Sequence, residues 1–220
     1  METSISNNQT TTTSWFRRAA PYIHAHRDAT FVVSIDGEAI ASNHFDNLVH
    51  DLALLNSLGI RLVIAFGARN QIEQQCQQQT IPLQYHEGIR ITDAASLDIA
   101  KSVIGQLRLE FEAKLSFSLP HTPMADAQIH CSSGNFVTAQ PVGIKDGIDF
   151  EHTGKVRGID TVAIKQQLDL DNIVLLPSLG YSPTGEIFNC SAEAVATACA
   201  IELNADKLIF IGDNHDQLPN

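Results

Sequence analysis

The sequence predicts an α/β protein whose mostly parallel central sheet is covered by helices on both faces. Two strand–turn–helix units in the first eighty residues carry that prediction, and the alternation of apolar strands with amphipathic helices continues beyond them. The first unit is the buried strand at 30–35 in "FVVSIDGEAI", which runs into the turn Asp36-Gly37. The second is "RLVIAF" (61–66), which runs into "GARNQIEQQCQQQ". Both turns carry glycine at the C-terminal end of a strand, the edge of an open α/β sheet where ligands bind.

The elements follow in order. "METSISNNQTTTT" (1–13) is polar and lacks an apolar targeting core, so it reads as a disordered tail. Residues 14–27 form an N-terminal helix with Trp15, Phe16, Ala19, Tyr22 and Ile23 on one stripe, which Pro21 should bend or split. The main domain is expected over 28–220. In 44–58, Phe45, Leu48, Val49, Leu52 and Leu55 recur at helical spacing until Gly59 stops the helix. A long helix is expected at about 93–118, strands at about 128–132 and 135–139, and a polar hairpin at 148–159. Helix 160–168, strand 172–178, a turn at "SPTGEIFN", helix 191–203 and strand 207–212 complete the pattern. Ala192, Val195, Ala196 and Cys199 mark the buried side of the last helix.

Composition narrows the function. Of the 220 residues, 44% are hydrophobic and 18% charged, as in an ordinary globular protein. The formal net charge of −11 opposes nucleic-acid or anionic-membrane binding, which needs a positive field. No apolar run reaches the roughly 18 residues of a membrane span. Cys76, Cys131, Cys190 and Cys199 form no CxxC pair and read as reduced thiols in a cytoplasmic protein. The histidines are scattered, and "HAH" (24–26) lacks a carboxylate or cysteine beside it, so no metal site is expected.

The turn after 30–35 poses the chemical question. A glycine turn can cradle a phosphate on bare backbone N–H groups, but this one offers Asp36 and Glu38 in place of a cation.

The stretches "PYIHAHRDATFVVSIDGEAI", "LLNSLGIRLVIAFGARNQI", "GIRITDA", "SGNFVTAQPVGIKDGIDFEHTGKVRGID" and "GEIFNCSAEAVATACAIELNADKLI" occur in order from about 15 to 212. Together they resemble the amino-acid kinase fold, and within it the N-terminal domain of bacterial N-acetylglutamate synthases. The resemblance implies a three-layer αβα sandwich of the amino-acid kinase or carbamate kinase type, here expected to be C-terminally incomplete. In the sister family, acetylglutamate kinase, K-x-G-G marks the first turn. Here the lysine position is Ser34 and the first glycine is Asp36, followed by Gly37. The second turn, G-G-G-P-Q-I in the kinases, reads "GARNQI", so Gly67 remains while Arg69 and Asn70 crowd a turn that needed bare backbone. The kinase N-x-N-A-D becomes Asn189 to Glu193. Two carboxylates near a γ-phosphate without the lysine raise the barrier to phosphoryl transfer, so these loops read as degenerate and no kinase activity is expected.

The resemblance implies further roles. Arg90 of "GIRIT" and Asn189 match substrate-side positions and define a vestigial pocket for an acidic ligand. Tyr22 and Lys207 match positions that line the arginine site of arginine-sensitive relatives. In the family this domain precedes an acetyltransferase domain of the GNAT fold, which uses acetyl-CoA and glutamate to make N-acetylglutamate in arginine biosynthesis. That transferase is not expected within this chain, which by itself is expected to need no cofactor and to catalyse nothing. The expected partners are L-arginine and further copies of the chain, with the N-terminal helix assembling dimers into a hexamer. The alternatives are an active acetylglutamate kinase or a stand-alone small-molecule-binding module.

Overall fold

Alternation within the central strands decides the architecture, because successive side chains of a strand face opposite layers. The computed structural model describes residues 14, 17–116 and 129–212. It opens with helix α1 (17–26), which continues through Pro21 without a split. A proline inside a helix removes one backbone bond, and the ladder on either side can persist. Trp15, Phe16, the tail at 1–13 and residues 213–220 lie outside the described residues. Then come β1 (Thr30–Ile35), α2 (Gly37–Ala41), α3 (Phe45–Ser57), β2 (Arg61–Phe66), α4 (Arg69–Gln78), β3 (Gln84–His86), β4 (Ile89–Ile91) and α5 (Ala94–Ser116). The second half holds β5 (Cys131–Ser133), β6 (Val137–Pro141), β7 (Ile144–Lys145), β8 (Ile148–Asp149), β9 (Gly154–Ile159) and α6 (Thr161–Asp169). After them follow β10 (Ile173–Pro177), β11 (Leu179–Tyr181), β12 (Ile187–Asn189), α7 (Ala192–Leu203) and β13 (Lys207–Ile211).

The main sheet has the order β13-β1-β2-β10-β5, and every pairing in it is parallel. Phe31, Val33 and Ile35 of β1, with Leu62, Ile64 and Phe66 of β2, face the layer built by α3, α4 and α5. Val32, Val63, Ala65, Val174 and Leu176 face the other way, onto α6, α7 and the antiparallel strands. The two apolar layers enclose the sheet, as its continuous apolar strands require. Phe111 of α5 reaches the sheet's centre, with its ring 4.9 Å from Phe45 and 5.1 Å from Phe66.

Helix ends follow local chemistry. Gly59, at φ +89°, turns the chain out of α3 into β2. Ser191 caps α7 by accepting a hydrogen bond from the Ala194 N–H at 3.1 Å. The predicted buried side of α7 is the observed one: Ala192, Val195, Ala196 and Cys199 are all in the core. On α3, Phe45, Val49 and Leu52 are buried, whereas Leu48 and Leu55 are only partly covered and Ala53 takes part instead.

A second sheet, β12-β11-β6-β9, and the hairpins β3–β4 and β7–β8 were not foreseen in this form. The segment expected as one hairpin at 148–159 is divided: β8 pairs with β7, and β9 pairs antiparallel with β6. The turn expected at "SPTGEIFN" joins β11 to β12. Among the described residues no helix is long and apolar enough to cross a membrane.

Candidate functional site

The C-terminal ends of β1 and β2 lie side by side, and the N-terminus of α7 packs against them. The Gly67 N–H donates to the Ile35 carbonyl at 2.8 Å, and the Asp36 N–H to the Ile211 carbonyl of β13 at 3.0 Å. A Cβ on Gly67 would stand 3.3 Å from the Ala192 Cβ, so a side chain there would press on α7. The fold therefore brings Ser34, Asp36, Gly37, Gly67 and Arg69 into one corner at the sheet's C-terminal edge. Ser34 itself is buried within β1.

That corner is filled by the chain's own side chains. Asp36 caps the short α2, accepting from the Ala39 N–H at 2.7 Å, and its carboxylate lies against Gly212, where any Cβ would collide with it. Gln71 Nε2 donates to the Gly37 carbonyl at 2.7 Å, and its Oε1 occupies the space a Gly37 Cβ would need. Asn70 Nδ2 donates to Glu38 Oε1 at 2.8 Å, tying α4 to α2. Arg69 is mostly exposed and lies 4.0 Å from Glu73, so Asn70 and Gln71 do the crowding. Glu193, in the first turn of α7, accepts from Ser191 Oγ at 2.7 Å. A phosphate cradle needs free N–H groups and a positive field; this corner presents the Asp36 and Glu38 carboxylates, with Gln71 bonded to the Gly37 carbonyl and its Oε1 left without a partner.

A second region has the opposite character. Arg90 on β4 is 7% exposed, and its guanidinium Nη1 lies 3.6 Å from Glu73 of α4. Neither Nε nor Nη1 of Arg90 has a hydrogen-bond partner. Burial lowers the Arg90 pKa from its ordinary value, against the pull of nearby Tyr85 and Glu73. Tyr85, opposite Arg90 on β3, donates its hydroxyl to Glu73 Oε1 at 2.8 Å; burial and that bond raise its pKa.

The backbone of Arg90 is locked. Thr153 Oγ1 donates to the Arg90 carbonyl at 2.9 Å and accepts from the Thr92 N–H at 2.8 Å. Asn189 Nδ2 donates to Thr92 Oγ1 at 3.1 Å, and all of these groups are buried. The fold thus links Arg90 and Asn189 through Thr92 and Thr153. Thr92, Thr153 and Glu73 were missed as site residues. The two threonines lie inside the quoted stretches "GIRITDA" and "DFEHTGK", but only the folded chain shows them 61 residues apart in sequence and in contact.

Tyr22 and Lys207 occupy a third place. Tyr22 is 72% exposed on α1. Lys207, at the start of β13, holds its ammonium 5.5 Å from the Phe31 ring centroid. His26, one turn beyond Tyr22, meets the same ring edge-on at 5.5 Å. Phe31 is therefore the floor shared by Lys207 and the end of α1.

A parallel sheet flanked by helices, with two glycine turns at the C-terminal ends of adjacent strands, defines a class. Residues 29–215 match the model of the amino acid kinase family, and the chain belongs to that family. Its particular relatives are acetyltransferases by name. It is 51% identical to the amino-acid acetyltransferase of Ectopseudomonas mendocina (strain ymp), over 93% of this chain and 49% of that protein. It is also 51% identical to the amino-acid acetyltransferase of Pseudomonas fluorescens (strain SBW25), over 90% of this chain and 46% of that one. Among solved structures it resembles N-acetylglutamate synthase from Neisseria gonorrhoeae complexed with coenzyme A and L-arginine. That likeness has a TM-score of 0.84 and 38% identity, and covers 91% of this chain and 47% of the other. The chain spans about half the length of the curated relatives it matches.

Proposed function

We propose that this chain is the regulatory, amino-acid-kinase-like part of an N-acetylglutamate synthase. The parent enzyme moves acetyl from acetyl-CoA to glutamate in the cytoplasm, and this part transfers no phosphoryl group. The filled corner carries the reading: Asn70, Gln71 and Asp36 occupy the space in which a phosphate would meet bare backbone. The names of the relatives and the half-length match support the rest. Positioning by backbone N–H groups and a cation is most of what a phosphoryl-transfer site does; here Asp36 takes the Ala39 N–H, the Ile35 carbonyl takes the Gly67 N–H, and the Arg69 guanidinium is mostly exposed, 4.0 Å from Glu73.

In this reading L-arginine is sensed between α1 and β13. Lys207 pairs with the effector's carboxylate, and Tyr22 covers its aliphatic stem or stacks on its guanidinium. Arg90, with Asn189 behind it, keeps a pocket for an acidic ligand, and α1 assembles copies of the chain into a ring of six. The test is calorimetric titration of arginine into a protein extended through the whole domain, wild type against Tyr22→Ala and Lys207→Ala. A charge-assisted hydrogen bond is worth roughly 1.5–3 kcal/mol, so Lys207→Ala weakens binding about ten- to a hundredfold. Unchanged affinity in both variants removes these residues from the site. No binding by the extended wild type removes arginine sensing itself.

A further inference from the structure

Two hairpin tips meet on the side of the molecule that carries Arg90. One joins β3 to β4 through Glu87-Gly88, and the other joins β7 to β8 through Asp146-Gly147. At their junction the ligand-capable atoms of His86, Glu87 and Asp146 all lie within 4.8 Å of one another. His86 is half-buried, with its ring edge-on to Phe150 at 6.0 Å, whereas both carboxylates reach solvent.

The separation of His86 and Asp146 suits coordination as well as it suits their hydrogen bond. His86 Nε2 and Asp146 Oδ2 are 3.4 Å apart, longer than the roughly 2.7–3.2 Å of a good N–H···O bond. Two donors each about 2.1 Å from a tetrahedral ion lie about 3.4 Å apart. The donor set is one imidazole and two carboxylates, borderline ligands that match a small first-row divalent cation better than calcium. One group competes: Lys145 pairs its ammonium with Glu87. An ion at this place therefore has to displace Lys145 from Glu87.

We propose that His86, Glu87 and Asp146 form a three-ligand site for a first-row divalent cation such as Zn2+, with the fourth position open to solvent. The ion clips the β3–β4 hairpin to the β7–β8 hairpin. The first carries Arg90, and the second leads, four residues past its end, to the Thr153 that bonds the Arg90 carbonyl. The clip therefore holds together the two segments that meet at the Arg90 backbone. No local pattern points to a metal here, because Asp146 sits 60 residues from His86 and only the fold joins them.

The test is calorimetric titration of the metal-free chain with Zn2+, with Co2+ absorption as a second readout of tetrahedral geometry. The wild type should take up one ion per chain. His86→Ala and Asp146→Asn should each weaken it at least tenfold, and Lys145→Ala should tighten it several-fold. Asp146 is exposed, so its variant keeps the test decisive if His86→Ala fails to fold. The tightening by Lys145→Ala separates this site from adventitious uptake at "HAH", which a double His24→Ala, His26→Ala variant removes. Absence of Zn2+ binding overturns the proposal. So does binding that survives His86→Ala and Asp146→Asn, depends on His24 and His26, or weakens in Lys145→Ala.

Discussion

The glycine corner and the Arg90 region belong to one fold, and each keeps a buried side-chain group without a hydrogen-bond partner, but the corner's is a neutral amide oxygen, Gln71 Oε1, and the other's is a charged guanidinium. In the corner, polar groups are tied from within: Gln71 donates to the Gly37 carbonyl, Asn70 to the Glu38 carboxylate, and Asp36 accepts from the Ala39 N–H at the start of α2. Around Arg90 the backbone is locked just as firmly by Thr153, but the guanidinium is left with two unbonded nitrogens beside a single carboxylate 3.6 Å away. A buried polar group without a partner is costly, and a charged one costs more than a neutral one. Losing a neighbouring partner should therefore be felt more around Arg90 than in the corner.

The largest expected effect tests the charge. Glu73→Ala leaves Arg90 buried without its counter-ion and should cost about 2–3 kcal/mol, below the usual cost of breaking a fully buried pair because Glu73 itself is partly exposed. Urea unfolding midpoints measure it, and adding Arg90→Met should recover most of the loss. A loss below about 0.5 kcal/mol would place Arg90 in water and erase the contrast. The corner should respond less. Asn70→Ala and Gln71→Ala each remove one ordinary hydrogen bond, worth about 1 kcal/mol. Neither variant, nor the pair together, should acquire MgATP binding by calorimetry, because Asp36, Glu38 and Ser34 remain. Uptake of MgATP by the double variant would show that two amides alone had closed a working cradle.

The smallest effect lies outside both regions and calibrates them. The hydrogen bond and charge of Lys114 lower the pKa of the Asp46 carboxyl from its ordinary value. A lowered folded-state pKa gives stability that is present above the unfolded value near 4 and is lost as pH falls through the folded one. The pair is exposed and screened, so Asp46→Asn should flatten the fall in melting temperature between about pH 5 and 3 only slightly. A large effect would mean that surface pairs, and not the two buried regions, dominate this protein's electrostatics.

Much of the sheet was legible because its strands are apolar on both faces. "FVVSI" and "RLVIAF" can sit only in the middle of a covered parallel sheet, and both were placed within a residue. The antiparallel strands were harder, since "QYH" and "IFN" are too short to show a period and pair across distant segments. The corner was half legible: Asp36 and Glu38 stand out in a glycine turn, and Ser34 through the family likeness, but the part played by Gln71 does not, because a glutamine in a helix looks like any solvated residue. Arg90 was found only through family likeness. Its surroundings come from β3 and α4, which bring Tyr85 and Glu73 beside it, and neither leaves a local mark.

The order β13-β1-β2 has a consequence in time. The first strand of the sheet is flanked on one side by the last described strand, and Thr30 donates to Asp206 across 176 residues of sequence. Synthesis at about 5–20 residues per second leaves roughly 10–35 s between the emergence of β1 and that of its neighbour. Throughout that interval β1 can pair with β2 alone, and its other edge, with Val32 and Val33 along it, stays open to whatever strand it meets. Among the described strands, the sheet can close around β1 only after all the others have been made, so its free edge is exposed longest just before Lys207 emerges.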